Sequence, residues 1–165
     1  FAFLLLGSKK KFLKLPLVVL LDASAVALPF AQAIGRWANY VNQELYGLPT
    51  SVPWAVHIDP AHRLVGYESF ETFHPLFFYE SVSMLLLGLS LWQLKKKLPL
   101  GNGVLAGVYI FAYALWRFFL DFLRIGVEDI WLGLSMNQLI LLCGILVAGS
   151  ILYGKKETLR KKLLE

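Results

Sequence analysis

The chain has 165 residues, 58% of them hydrophobic and 16% charged, with a mean hydropathy of +0.62. That balance excludes an ordinary soluble domain and a disordered chain, and a single cysteine, Cys143, excludes a disulfide scaffold. The net charge of +5 would suit nucleic acid, but all eleven lysines fall in three short segments separated by long apolar stretches, which is the pattern of an integral membrane protein.

In chain order, Phe1 to Gly7 is apolar but would rise only about 10 Å as helix, a third of a bilayer. It reads as the inner end of a severed span, so the chain reads as an N-terminally truncated fragment. Lys9, Lys10, Lys11 and Lys14 follow. A transmembrane helix needs about 20 mostly apolar residues, and residues 15–35, 76–94, 103–123 and 134–153 qualify. The fold class expected is therefore all-α: a polytopic transmembrane bundle of four complete spans, forming with its connections a single membrane domain over 1–165. Lysine-rich flanks mark the cytoplasmic side. The first cluster, Lys95 to Lys97, and Lys155, Lys156, Lys161 and Lys162 all fall on that side if each window crosses once. Residues 36–75 then form a long outer loop with Trp37, Tyr40, Tyr46 and Trp54 suited to the interface. Leu98 to Gly103 is an inner turn and residues 154–165 a basic inner tail.

Ionisable residues inside spans are few, and each is costly unless paired or functional. Arg117 sits roughly 20 Å up its helix from the inner lysines. Asp121 is four residues beyond it and Arg124 three beyond that, so one carboxylate can lie between two guanidiniums on one face. Arg36 ends the first full span at the same level, and Tyr79 and Glu80 enter the next span there. Guanidiniums offer planar, bidentate donors matched to phosphate, so their gathering at headgroup depth points to a phosphodiester site. The competing reading is structural, with arginines snorkelling to the interface. Asp22, near the inner end of its helix, reads as structural, and Cys143, mid-span with no base near it, is not a candidate nucleophile.

The segment Gly35 to Gly47, GRWANYVNQELYG, places Arg36, Asn39, Asn42 and Gln43 in a polar stripe if it continues as helix. His74, before Pro75 and Glu80, is either a general base or a polar residue at a helix start. His57, His62 and Asp59 lack a further ligand at useful spacing and read as solvated, so no metal is expected.

The run from Gly35 to Glu44 with Gly47 resembles the signature of the bacterial prolipoprotein diacylglyceryl transferase family, G-R-x-G/A-N-F-x-N-x-E-x-x-G. Two further pieces occur in the family's order. His74-Pro75 with Tyr79-Glu80 resembles H-P-x-Q-x-Y-E, and Arg117, Asp121 and Arg124 resemble R-x-x-x-E-F-x-R. The similarity extends to Asp22 and to Ser135-Met136 with Gln138. The chain departs from the pattern at Phe77, where the family usually has Gln, at Asp121 for the commoner Glu, at Asn137 for Gly and at Tyr40 for Phe.

The resemblance implies transfer of the diacylglyceryl group of phosphatidylglycerol to the lipobox cysteine thiol of a preprolipoprotein, in the bacterial cytoplasmic membrane, without a cofactor. It implies catalytic roles for Arg117, His74 and Glu80. For phosphatidylglycerol binding it implies Arg36, Asn39, Asn42, Glu44, Gly47, Tyr79, Asp121 and Arg124. A family segment containing H-G-G, often assigned an essential histidine, would precede Phe1. The expected partners are the phospholipid and the signal peptide, with no nucleic acid. A phospholipid scramblase or transporter is the alternative, and it would carry polar residues through the full depth of a pathway.

Overall fold

The structure is a computed structural model that describes residues 15–126, 129–157 and 160. The expectations for Phe1 to Gly7, the first lysine cluster, Lys161 and Lys162 lie outside those residues. Four helices are long and apolar enough to cross a membrane. They run over Leu17–Val41, Leu76–Lys97, Val104–Leu123 and Met136–Gly154. The first is α1 (Leu17–Gly35) with a short α2 (Trp37–Val41) after a break at Arg36, the second α3 (Leu76–Lys97), the third α4 (Val104–Leu120) extended by a 3-10 turn Asp121–Leu123, and the last α5 (Met136–Gly154). Two two-stranded antiparallel sheets lie in the connections. In one, β1 (Val56–His57) pairs with β2 (Thr72–Phe73); in the other, β3 (Asp129–Trp131) pairs with β4 (Leu134–Ser135).

Successive spans alternate in direction. Lys95 to Lys97 close α3 where α4 begins, and Gly107 near the start of α4 faces Leu152 near the end of α5. Lys155 and Lys156 therefore share one end of the bundle with Lys95 to Lys97, here called the lysine end. The 36–75 connection and the β3–β4 hairpin occupy the opposite, loop end.

Large apolar side chains point outward along the spans: Leu17 is 69% exposed, Ile34 75% and Leu146 72%. In water such a surface would aggregate, whereas hydrocarbon solvates it. The buried contacts concentrate where α1, α3 and α4 meet toward the lysine end, around Val26, Leu91, Leu98, Val104 and Leu105. Close approach is made possible by Gly88, whose absent Cβ would stand 3.0 Å from the ring of Phe30.

Asp22 explains how the lysine end is closed. Its side chain is fully buried, and it accepts the backbone N–H groups of Gly101 (2.8 Å), Gly103 (3.0 Å) and Ala106 (3.0 Å). A carboxylate from α1 thus caps the start of α4, where free N–H groups and the helix dipole favour negative charge. Gly103 adopts a φ of 77°, a conformation that favours glycine. Asp22→Asn would turn one amide N–H₂ toward these donors. It is expected to cost about 3 kcal/mol, read as a lower melting temperature in detergent.

At the loop end, Tyr46, Ile58, Phe73 and Ile125 form a second small core. The Tyr46 hydroxyl donates to His62 O (2.8 Å) and accepts from Leu64 N (2.7 Å), and Arg63 ties Ile58 O to Glu68 O. The backbone N–H groups of Glu68 and Gly66 hold the exposed Glu68 carboxyl below its ordinary range. These bonds make the long connection a folded unit and give the residues beside it fixed positions.

Candidate active site

Three segments converge at the loop end, and Glu80 is where they meet. Glu80 lies in the first turns of α3 with its side chain only 8% exposed. Its Oε2 pairs with Nε of Arg36, from the break between α1 and α2, and its Oε1 pairs with Nη1 of Arg117 on α4. A buried carboxylate of this kind persists because two guanidiniums compensate it. Arg117 also turns Nη2 toward Oδ1 of Asp121 at 3.5 Å, and Arg124 Nη1 approaches the same oxygen at 3.7 Å. The expected face of Arg117, Asp121 and Arg124 is therefore present, and Glu80 joins Arg36 to it. Three guanidiniums against two carboxylates leave one net positive charge at the mouth of the bundle, the complement of a phosphodiester.

Beside this cluster, His74 Nδ1 lies 3.0 Å from the hydroxyl of Tyr79, which also accepts the indole N–H of Trp54 at 2.8 Å. The ring Nε2 has no partner among the described residues. The backbone of the same segment is laced to the end of α4: Gly47 N donates to His74 O, Leu48 N to Leu123 O, and His74 N to Leu48 O. Gly47 sits inside this lacing, where a Cβ would fall 2.7 Å from Leu123 O and 2.9 Å from His74 Cβ. Glycine is required there because the backbones of three segments touch.

The polar stripe differs from expectation. Helix α2 ends at Val41, Gln43 takes a φ of 49°, and its amide leaves the stripe to bond Asp59 twice, at 2.7 Å each to Oδ2 and to the backbone N–H. The gain of two bonds to a loop carboxylate and its amide outweighs continued helix. Asn39 is half-buried beside Arg36, while Asn42 and Glu44 are exposed and bonded to each other at 3.2 Å. They line, with Arg124, a pocket of about 470 Å³. Phe77, at the family's usual Gln position, packs against Tyr40 (4.9 Å between ring centres) and Trp37 (5.5 Å). His57 and Asp59 are more than half exposed.

Residue periodicity did not single out Ser81 or the partners of Ser135. Ser81 donates to Ala33 O (2.8 Å) and accepts from Trp37 Nε1 (3.2 Å), which fixes α2 on α3. Ser135 and Gln138 form a capping box at the start of α5, and the Ser135 hydroxyl donates to Asp121 Oδ2 at 2.8 Å. The S-x-x-Q spacing is a readable sign of the cap, but not of its link to Asp121. Below Tyr79, an apolar groove of about 490 Å³ runs between α3 and α4, lined by Phe78, Val82, Leu86, Leu87 and Trp116 among others.

Chemically, the cluster offers fixed guanidiniums for an oxyanion, an imidazole nitrogen nearby in the fold and an apolar groove alongside. The prolipoprotein diacylglyceryl transferase family model matches residues 1–153. A phosphatidylglycerol--prolipoprotein diacylglyceryl transferase 2 of Streptomyces coelicolor is 45% identical over 126 residues, which is 76% of this chain and 39% of that protein. The transferase of Frankia alni is 42% identical over 76% of this chain and 33% of its own length. That of Synechococcus elongatus is 37% identical over 88% and 53%. The chain thus spans about a third to a half of the length of these curated relatives. With four apolar helices of spanning length and a family model matched over nearly its whole extent, the chain is a multi-pass membrane protein belonging to the prolipoprotein diacylglyceryl transferase family.

Proposed function

We propose that the protein containing this chain transfers the diacylglyceryl group of phosphatidylglycerol to the lipobox cysteine thiol of a preprolipoprotein. The observation that carries the proposal is the Arg36–Glu80–Arg117 bridge, which holds two guanidiniums from different helices at one depth. The thiolate sulfur attacks the glyceryl carbon next to the phosphate, the carbon–oxygen bond breaks, and glycerol phosphate departs with the electron pair while a thioether forms. Charge grows on the phosphoryl oxygens as that bond breaks. Preorganised guanidiniums stabilise it without reorientation, which lowers the barrier rather than the ground state alone.

Arg36 uses only Nε on Glu80, so its two Nη groups are open to phosphate among the described residues. Arg117 supplies the second contact, and Arg124, held by Asp121, completes the field. Asn39, Asn42, Glu44 and Gly47 shape the loop that closes over the headgroup, and the polar pocket beside Arg124 suits the soluble glycerol phosphate product. The groove below Tyr79 suits an acyl chain. Between His74 and Glu80 as proton acceptors, His74 is favoured: both oxygens of Glu80 are committed to arginine, whereas Nε2 of His74 is open and accepts a proton in the tautomer whose Nδ1–H donates to the Tyr79 hydroxyl. Glu80 then positions the arginines, and Tyr79 orients His74.

The deciding experiment is transfer to a lipobox peptide by the full-length protein in vesicles with and without phosphatidylglycerol. Arg36→Lys keeps the charge but loses the planar fork. It is expected to lower turnover by at least about 100-fold in a folded protein. Wild-type turnover by Arg36→Lys would remove Arg36 from phosphate binding; lipid movement between leaflets without transfer would favour a scramblase.

The lysine end is assigned to the cytoplasm and the loop end to the outer face of the bacterial inner membrane. Cysteines placed at Lys96 and Lys156 should label from one side and a cysteine at His62 from the other. Labelling of positions 96 and 62 from the same side would overturn this orientation.

A further inference from the structure

Asp121 is fully buried yet thinly bonded. Its Oδ2 accepts one hydrogen bond, from the Ser135 hydroxyl, and its Oδ1 has no hydrogen-bond partner among the described residues. The guanidiniums of Arg117 and Arg124 stand 3.5 and 3.7 Å from that oxygen, beyond the usual length of such a bond. The Ser135 hydroxyl has a fixed sense. Its oxygen accepts Gln138 N–H at 3.1 Å as the helix cap, so its single proton is directed at Asp121. Gln138 completes the arrangement: its Oε1 accepts Ser135 N–H at 2.9 Å, and its Nε2 donates to Phe118 O, next in sequence to Arg117, at 3.3 Å. The first turn of α5 is thereby fastened to the end of α4 at two points just beyond the arginine.

A buried carboxylate without hydrogen bonds draws in the nearest guanidinium, because an unmet charge at low dielectric is costly. We propose that Ser135 is a positioning residue for Arg117. By giving its proton to Asp121 it weakens the pull of that carboxylate, so Arg117 stays on Glu80 through Nη1 while Nη2, 3.5 Å from Asp121 and not hydrogen-bonded to it, can turn to a lipid phosphate oxygen. An Arg117 drawn fully onto Asp121 would have to break a charge-assisted bond to reach the phosphate, and part of the transition-state stabilisation would be lost. This role rests on the phosphate-binding function proposed for Arg117.

The test compares variants of the full-length protein in phosphatidylglycerol vesicles with a lipobox peptide. Ser135→Gly removes the hydroxyl but keeps most of the capping preference, and Ser135→Thr keeps both. Ser135→Gly is expected to lower kcat at least about tenfold with the lipid KM within about twofold, and Ser135→Thr to stay within about twofold of wild type. Gln138→Ala spares the Ser135–Asp121 bond and should lower the melting temperature while kcat holds. In an Asp121→Asn background no carboxylate competes for Arg117, so Ser135→Gly should add no further loss. Should Ser135→Gly melt too low to assay, Ser135→Cys, a weak donor of similar size, reads the same kcat loss.

Wild-type kcat in both hydroxyl-free variants, failure of Ser135→Thr to restore it, or an equal loss in the Asp121→Asn background would overturn the positioning role alone. A wild-type protein that transfers nothing would overturn the transferase reading and this role with it.

Discussion

Arg117→Ala is expected to lower the initial rate of diacylglyceryl transfer by about 10²- to 10³-fold, the loss typical when one preorganised donor to a developing oxyanion is removed. Arg117 is the least exposed of the three arginines, with a side chain 13% exposed against 25% for Arg36 and 31% for Arg124. Its interaction with phosphate is therefore the least screened by water and salt. The same substitution leaves Glu80 with Arg36 alone and Asp121 with Arg124 and Ser135, so about 3 kcal/mol of stability should go as well. Asp121→Ala should follow in severity, because it frees two guanidiniums, and Arg124→Ala should be mildest. Initial rates and melting temperatures of the three detergent-solubilised, full-length variants decide the order. A nearly normal Arg117→Ala beside an inactive Arg124→Ala would move the phosphate outward, to the pocket lined by Asn42 and Glu44.

Glu80→Gln should separate binding from chemistry. The amide keeps the shape of the carboxylate but can accept on only one oxygen, and its N–H₂ faces a guanidinium. Breaking a buried bridge in this way costs about 3–5 kcal/mol. The cluster then carries two net positive charges in place of one, so phosphatidylglycerol should bind at least as well. Turnover should nevertheless fall by about 100-fold or more, because Arg36 and Arg117 are no longer held to one geometry. The expected signature is a fall in kcat with an unchanged or lower lipid KM. If Glu80 were instead the acceptor of the thiol proton, its loss would remove the ascending limb of the pH–rate profile; retention of that limb in Glu80→Gln and its loss in His74→Gln would assign the proton to His74.

The two halves of this site differ in how they can be read. Arg117, Asp121 and Arg124 are visible as a cluster in sequence because helical periodicity is local: four- and three-residue spacings put them on one face whatever the rest of the chain does. The spans follow from length and hydropathy for the same reason, since an apolar run must satisfy its own backbone in lipid. Asp22 was legible only as structural, from its depth; that its partners are the amides of Gly101, Gly103 and Ala106 depends on α1 packing against the start of α4. Family resemblance implied a catalytic role for Glu80 and phosphatidylglycerol binding for Gly47 without showing the structural task of either.

Those tasks are tertiary. Glu80 meets Arg117 across 37 residues of sequence, and meets Arg36 only because α1 and α3 pack together. No spacing rule joins three helices, so from sequence a lone buried acid reads equally well as a base. Gly47 is needed because Leu123 O and His74 come within 3 Å of where its Cβ would stand, a contact made by the folded loop. Gln43 left the predicted stripe because Asp59, sixteen residues on, offered two bonds that a helical register cannot know about. The S-x-x-Q cap at Ser135 is local and was readable, while its hold on Asp121 was not. Local hydropathy and periodicity thus determined which segments span and which charges share a face. Packing between helices decided which charges face each other, because the energy of a buried ion pair depends on distances that only the assembled bundle sets.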